Sequence, residues 1–241
     1  MMNKITLKDN YTLSDLFEIL KALRGENGCP WDKIQTHETL KKCLIEEAYE
    51  AIDAYDSGDD ILFANELGDV LLQVAFHSQL AEERKAFDFD RVLFELCTKL
   101  ITRHTHVFGD VEASDPQAAL ANWEKNKNKE HKDDTCYKVL NDVPHHLPSL
   151  MRAEKVQKKA AGFGAKVPDI NKAIENIEKN LKEIKSDENA EQSYKELLFQ
   201  VVALGRAMEL TPETELTTFT GQFIEKCKVS EKDKNLSNIS F

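Results

Sequence analysis

The amino-acid sequence predicts an all-α protein, a helical bundle built from two tandem repeats. Apolar residues recur at helical spacing along almost all of the 241-residue chain, and short β-prone runs such as Val201–Val202 lie inside that helical period. Nine Gly and six Pro are few for this length, and residues 31–57, 69–108 and 169–204 contain neither. A charged helical segment followed by an apolar one also occurs twice, at 41–56 before GDVLLQVAFHSQLAEE and at 171–186 before KELLFQVVALGRAMEL.

The spacing predicts helices over 12–24, 37–56, 60–85, 88–103, 115–129, 147–161, 169–186, 189–209 and 212–228. Thr12 with Asp15 three residues on is a capping signal, and Asp115–Pro116 and Thr211–Pro212 each put Pro at a first helical position. CPWDKIQTH, residues 29–37, reads as a loop. Charges, weak periodicity and the nearby Pro144 and Pro148 mark about 130–147 as a linker, and the last dozen residues read as a frayed tail. The expected organisation is therefore one repeat over 1–135, a second over 136–228, and a flexible tail over 229–241.

Charge separates the two repeats. The net charge is −11, residues 1–135 carry all of it, and residues 136–241 are neutral. Ten acids fall between Thr36 and Asp69 against only Lys41 and Lys42. That excludes a broad nucleic-acid surface, which needs a basic stripe, but not a phosphate ligand held through a metal ion. No apolar run is long enough to span a bilayer, and the N-terminus lacks a signal-peptide core. Five cysteines, odd in number and never arranged as CxxC, argue for free thiols and a cytoplasmic setting.

The acids themselves are patterned. In IEEAYEAIDAY, at about 100° per residue, Leu40, Leu44, Ala48, Ala51 and Tyr55 form the expected buried stripe. Glu47 borders it, Glu50 lies one step further round, and Glu46 faces nearly the opposite way. The following helix is apolar almost all round between 66 and 77, as for a central buried helix. Its exceptions, Glu66, Asp69, Gln73 and His77, fall within about 80° of one another. A short connection at Ser57–Asp60 makes the two helices antiparallel. Glu47/Glu50 and Glu66/Asp69, both i,i+3 pairs, then face each other as a four-carboxylate cage. Such an oxygen site suits Mg²⁺, with Mn²⁺ the alternative, better than zinc. The competing reading makes these acids a solvated helix face paired with Lys or Arg. A di-iron bundle is disfavoured, because Glu-x-x-His occurs nowhere in the chain.

Candidate anion ligands lie downstream. Lys99 and Arg103 share one helix face, and Lys125, Lys127 and Lys129 follow Trp123. A lysine–arginine pair on a helix is equally typical of a solvated face. His104 and His106 form an HxH without the further ligands of a complete zinc site. No GxxxxGK[ST], GxGxxG or GxSxG is present. Trp31 suits either stacking on a base or packing at a dimer interface.

Taken together in order, ENGCPWDKIQTHETL, CLIEEAYEAIDAYDSGD, ANELGDVLLQVAFHSQLAEE, TKLITRHTHVFGD and NWEKNK closely resemble the MazG family of nucleoside triphosphate pyrophosphohydrolases. The match covers about 24–130 and continues more loosely to about 228. The family's EExxE…ExxD signature stands here as Glu46, Glu47, Glu50, Glu66 and Asp69. The resemblance implies an all-α fold, usually a homodimer, with Mg²⁺ on these acids and hydrolysis of NTP to NMP and diphosphate. It also implies metal binding by Glu47, Glu50, Glu66 and Asp69, and a water-activating role for Glu47 or Glu46. Lys99 and Arg103 become candidates for stabilising the phosphates. The candidate substrate-binding set is Trp31, Lys33, Gln35, Gln73, Lys99, Arg103 and Lys127.

The second repeat departs from the pattern. Glu175, Asn176 and Lys179 stand where EExxE is expected, and Ser193 and Glu196 where ExxD is expected. Gln222, Glu225 and Lys226 replace the expected Lys and Arg. A cage missing most of its carboxylates should not hold the metal, so this repeat is expected to be non-catalytic. The alternatives to an enzyme are a helical interaction protein and a nucleotide-binding module without turnover.

Overall fold

The computed structural model describes residues 6–129, 134–186 and 189–232. Among them are twelve helices and no strand: α1 Leu13–Arg24, α2 Pro30–Ile34, α3 Lys41–Ser57, α4 Asp60–Glu83, α5 Phe89–Arg103, α6 Thr105–Phe108, α7 Pro116–Lys129, α8 Cys136–Asn141, α9 Ser149–Gly162, α10 Ile170–Lys185, α11 Ala190–Ala207 and α12 Pro212–Lys232. The all-α expectation holds. The chain divides into two compact units, residues 1–127 and 128–241.

Local chemistry places the helix ends. Thr12 and Asp15 form a reciprocal capping box at α1, satisfying two otherwise orphaned backbone donors. Pro116 and Pro212 are the first residues of α7 and α12. Gly58 ends α3 at φ 75°, a left-handed conformation that a Cβ would strain, and Asp59 then caps α4 through the amides of Ile61 and Leu62. This tight turn packs α3 against α4 as an antiparallel pair.

Three short helices were not anticipated. α2 lies in the run expected to be a loop, α6 follows α5 directly, and α8 lies in the expected linker. Each is six residues or fewer, too short to display a recurring helical period. The start of α3 at Lys41 rather than 37 reflects a hydrogen-bonded turn in which Thr36 and Thr39 bond each other's side chains and backbone. The expected tail also begins later, since α12 runs to Lys232; residues 233–241 lie outside the described residues.

The first unit's core is Leu20, Leu40, Ala75, Phe76 and Leu80, flanked by Leu16, Phe17, Cys43 and Leu72. Arg24 clamps its edge. Its guanidinium pairs with both carboxylate oxygens of Glu83, at 2.6 and 2.7 Å, and donates to the Asp32 carbonyl, tying α1, α2 and α4 together. Gly28 fits beside α1 only because it lacks a side chain. A Cβ there would sit 2.1 Å from the Leu23 carbonyl oxygen.

Two burial expectations need correction. On α3, Ala51 and Ala54 are buried, whereas Leu44, Ala48 and Tyr55 are exposed. On α4, burial is concentrated from Gln73 to Ala81, whereas Leu67 and Leu71 are exposed. The cause is the same. Small residues at Ala51 and Ala54 form the α3–α4 seam, and no other part of the first unit covers the larger apolar side chains on the flanks. Among the described residues, no helix is long and apolar enough to cross a membrane.

Replacing Leu20, which is 1% exposed, by Ala should destabilise the first unit by about 2–5 kcal/mol through lost contacts and a residual cavity. Chemical unfolding followed by helical circular dichroism checks this.

Candidate metal and substrate site

Glu47 faces α4 because it shares the seam side of α3 with Ala51 and Ala54, within about 40° on the helical wheel. Glu66 and Asp69 meet it from α4. One carboxylate oxygen of each of these three residues lies within 4.8 Å of the other two, and all three side chains are half-buried. Among the described residues no cation is paired with any of them. The only polar contact to the trio is the Asn65 amide donating to Glu66 at 3.5 Å.

Glu50 does not join the convergence. It is exposed, and its position about 60° round from Glu47 turns it to the edge of the seam. Its charge still reaches the site. Burial pushes the Glu47 carboxyl above the usual glutamate range, and Asp69, Glu50, Glu66 and Glu46 add to the effect in that order. Glu46 is turned to the outside, where it pairs with Lys42 at 2.8 Å.

The donor set passes a chemical test for a hard divalent cation. It supplies only carboxylate oxygens, they converge, and no cation among the described residues offsets their mutual repulsion. Nitrogen and sulfur ligands, which zinc favours, are absent from this trio.

One turn beyond Asp69, Gln73 is buried with its side-chain oxygen lacking a hydrogen-bond partner. A further turn on, His77 stacks on His37 with ring planes 4° apart and their Nδ1 atoms 2.8 Å apart. One of the two nitrogens must donate and the other accept, so the pair holds complementary protonation at Nδ1. Burial, then His37, lowers the His77 pKa, which favours the neutral form of that ring. The polar strip on α4 showed His77 in the sequence. Its partner His37 lies outside any helix, where periodicity carries no signal.

The other candidates divide into groups. Trp31 on α2 is 56% exposed, and nearby Lys33 donates to the Glu26 carbonyl at 2.7 Å. Gln35 is buried, donating to the Trp31 carbonyl and accepting from the Thr39 hydroxyl, so both ends of its amide shape the α2 turn. Lys99 is exposed on α5. Arg103 and Lys127 both lie over the Trp123 ring, at 5.3 and 4.9 Å from its centroid. Trp123 is therefore the hub of this cationic group, which the charge pattern alone did not show.

The second unit has the corresponding α10–α11 pair, but its positions are neutral or already bonded. Asn176 donates to Gln200 at 3.2 Å, Ser193 to Glu183 at 2.9 Å, and Asn180 to Glu196 at 3.3 Å. Among the described residues, the trio of the first unit is the only convergent group of three His, Cys, Asp or Glu ligand atoms.

Repulsion within the trio has a measurable consequence. The raised Glu47 pKa means that its ionisation costs more in the folded than in the unfolded protein. That penalty is absent below the unfolded glutamate pKa, grows as pH rises through the folded value, and is complete above it. In metal-free solution Glu47→Gln should raise the melting temperature at pH 7, with the gain disappearing on acidification to about pH 4. Thermal unfolding across that pH range tests the assignment.

Sequence comparison identifies the family. The model of the MazG nucleotide pyrophosphohydrolase domain matches residues 35–108, which contain the whole acidic trio. A nucleoside triphosphate pyrophosphohydrolase/pyrophosphatase MazG of Thermotoga maritima is 41% identical over 221 residues, covering 90% of this chain and 85% of that protein. A nucleoside triphosphate pyrophosphohydrolase of Escherichia coli K12 is 36% identical over 226 residues, covering 90% and 86%. With such similarity spanning both units, the chain belongs to the MazG family.

Proposed function

We propose that the first unit hydrolyses nucleoside triphosphates between the α- and β-phosphates, giving nucleoside monophosphate and diphosphate. The observation that carries this reading is the uncompensated convergence of Glu47, Glu66 and Asp69 in a chain related to nucleoside triphosphate pyrophosphohydrolases. These three acids would hold Mg²⁺ or Mn²⁺, with Glu50 available from the edge of the seam. The bound cation would supply charge neutralisation for the polyphosphate and polarisation of the scissile phosphoanhydride.

The chain's own groups supply the rest. Glu47, turned into the seam, is placed to orient the attacking water and receive its proton; Glu46, held by Lys42 outside, is the second candidate. Water oxygen bonds to the α-phosphorus as the bond to the α–β bridging oxygen breaks. Lys99, Arg103 and Lys127 are the cations assigned to the outer phosphates and the leaving diphosphate. Trp31, Lys33, Gln35 and Gln73 are assigned to substrate positioning, with Gln35 acting by shaping the turn that carries Trp31. Substrate range is read as broad, covering canonical and aberrant ribo- and deoxyribonucleotides.

The same reading includes a homodimer. Ile45, Tyr49 and Ile52 on α3 and Leu67 and Leu71 on α4 are exposed apolar side chains on the two helices that carry the trio, and a partner copy would cover them. The free cysteines fit the expected cytoplasmic setting. The second unit, whose equivalent positions are internally bonded, is assigned no hydrolysis.

Incubation with ATP, dGTP or dITP and Mg²⁺ should release the monophosphate and diphosphate. Asp69→Asn or Glu66→Gln should lower that rate on the order of 10²-fold or more without lowering the melting temperature. Formation of NDP and inorganic phosphate, or full activity in both variants, contradicts the proposal.

A further inference from the structure

The half-buried histidines His37 and His77 join two parts of the first unit that share no other hydrogen bond. His77 is on α4, and His37 lies in the turn between α2 and α3. Among the described residues, their 2.8 Å Nδ1–Nδ1 contact is the only hydrogen bond between residues 29–40 and α4. The segment is otherwise held by Leu40 in the apolar core and by Arg24 of α1, which donates to the Asp32 carbonyl.

The turn around His37 is continuous with α2. The Gln35 amide donates to the Trp31 carbonyl at 2.9 Å, and its oxygen accepts from the Thr39 hydroxyl at 2.7 Å. Thr36 and Thr39 bond each other on either side of His37. A force that fixes His37 is thus passed to Trp31 through two hydrogen bonds.

The pair tolerates few protons in its docked form. When both rings are neutral, one carries its proton on Nδ1 and the other on Nε2. Both Nε2 atoms are buried and lack a hydrogen-bond partner. A first added proton goes to the free Nε2 of the donor ring, where it makes a sheltered charge and a buried N–H without an acceptor. A second must go to the accepting Nδ1, which replaces the hydrogen bond by two facing N–H groups on two cations. Rings released into water take up both protons near the ordinary histidine value of about 6.5.

No counter-charge relieves this. Among titratable groups on α1 to α5 and the intervening turns, His37 alone acts on the charge of His77, adding to the effect of burial. Glu38, next to His37, is exposed and paired with Lys41, while Arg24 and Glu83 neutralise each other. Asp69, the nearest of the acidic trio along α4, is about 12 Å of helix away from His77. Docking therefore has its full strength above about pH 6.5. It weakens as pH falls toward the lowered His77 value, and below that value the loss is complete.

We propose that His37 and His77 form a proton-operated latch: the neutral pair holds residues 29–40, Trp31 included, on α4, and the protonated pair lets that segment open. Both histidines are positioning residues that act on a substrate only through the segment. The consequence for substrate rests on the proposed hydrolysis, whereas the latch itself does not.

Hydrogen exchange of the full chain in EDTA, followed by mass spectrometry at pH 7.5 and 5.0, tests the latch without reference to activity. Corrected for intrinsic exchange rates, protection of residues 33–40 should fall about tenfold or more at pH 5.0, a tenfold loss being one pKa unit of linkage. Protection of residues 75–81 in the core should not change. In His77→Gln and in His37→Gln an amide can still bond the remaining histidine, but two cations no longer face each other, so the loss should disappear. Either variant gives this result if the other fails to fold. Nitrogen-15 spectra of the imidazoles at pH 7.5 should show one ring protonated at Nδ1 and the other at Nε2. The latch is overturned if protection of 33–40 is the same at both pH values, if its loss is equal in the unaltered chain and both variants, or if both rings carry the proton on Nε2. With ATP and Mg²⁺, the KM of the unaltered chain relative to His77→Gln should rise between pH 7.5 and 5.5 while relative kcat stays constant. A constant KM ratio overturns the consequence for substrate. Absence of any hydrolysis overturns the proposed function, and exchange still decides the latch.

Discussion

Repulsion among three carboxylates organises the first unit. Glu47, Glu66 and Asp69 are brought together by a helix hairpin whose seam is lined with alanines, and no cation among the described residues pairs with them. Such an arrangement works against folding at neutral pH. It persists because the rest of the unit holds the hairpin closed. Gly58 and Asp59 make the turn tight, and the Leu20–Phe76–Leu80 core anchors the buried half of α4. Stability gained in one place thus maintains an unfavourable cluster in another. That is how a protein prepares a site whose missing counter-charge comes from a ligand.

The two units make a natural comparison. Both contain an antiparallel helix pair, α3–α4 and α10–α11. In one, the seam presents acids facing acids. In the other, Asn176 bonds Gln200, Asn180 bonds Glu196 and Ser193 bonds Glu183, so the polar groups of the seam are satisfied within the unit. The net charge of −11 is likewise borne by residues 1–135, while residues 136–241 are neutral.

Much of the site was legible in the sequence because it is local. Two i,i+3 acid pairs and a four-residue connection determine that Glu47 faces Glu66 and Asp69, and a polar strip on an otherwise apolar helix marks which side faces inward. The less legible features depend on tertiary packing. Whether Leu44 and Tyr55 are buried turns on what covers α3, and the first unit does not cover them. Gln35 looked like a ligand-binding residue, but its amide bonds both Trp31 and Thr39, a contact made by a one-turn helix too short to show a period. Likewise, Arg24, His37 and Trp123 matter through partners that sequence spacing does not connect to them.

The central claim is that the α3–α4 acids, and no group in the second unit, hold the divalent cation. Titration with Mn²⁺, following the free ion by electron paramagnetic resonance, tests it most directly. The account predicts saturable binding that disappears in a Glu66→Gln/Asp69→Asn double variant and survives in Glu196→Gln. Retention of tight Mn²⁺ binding by the double variant, or its loss in Glu196→Gln, would contradict it.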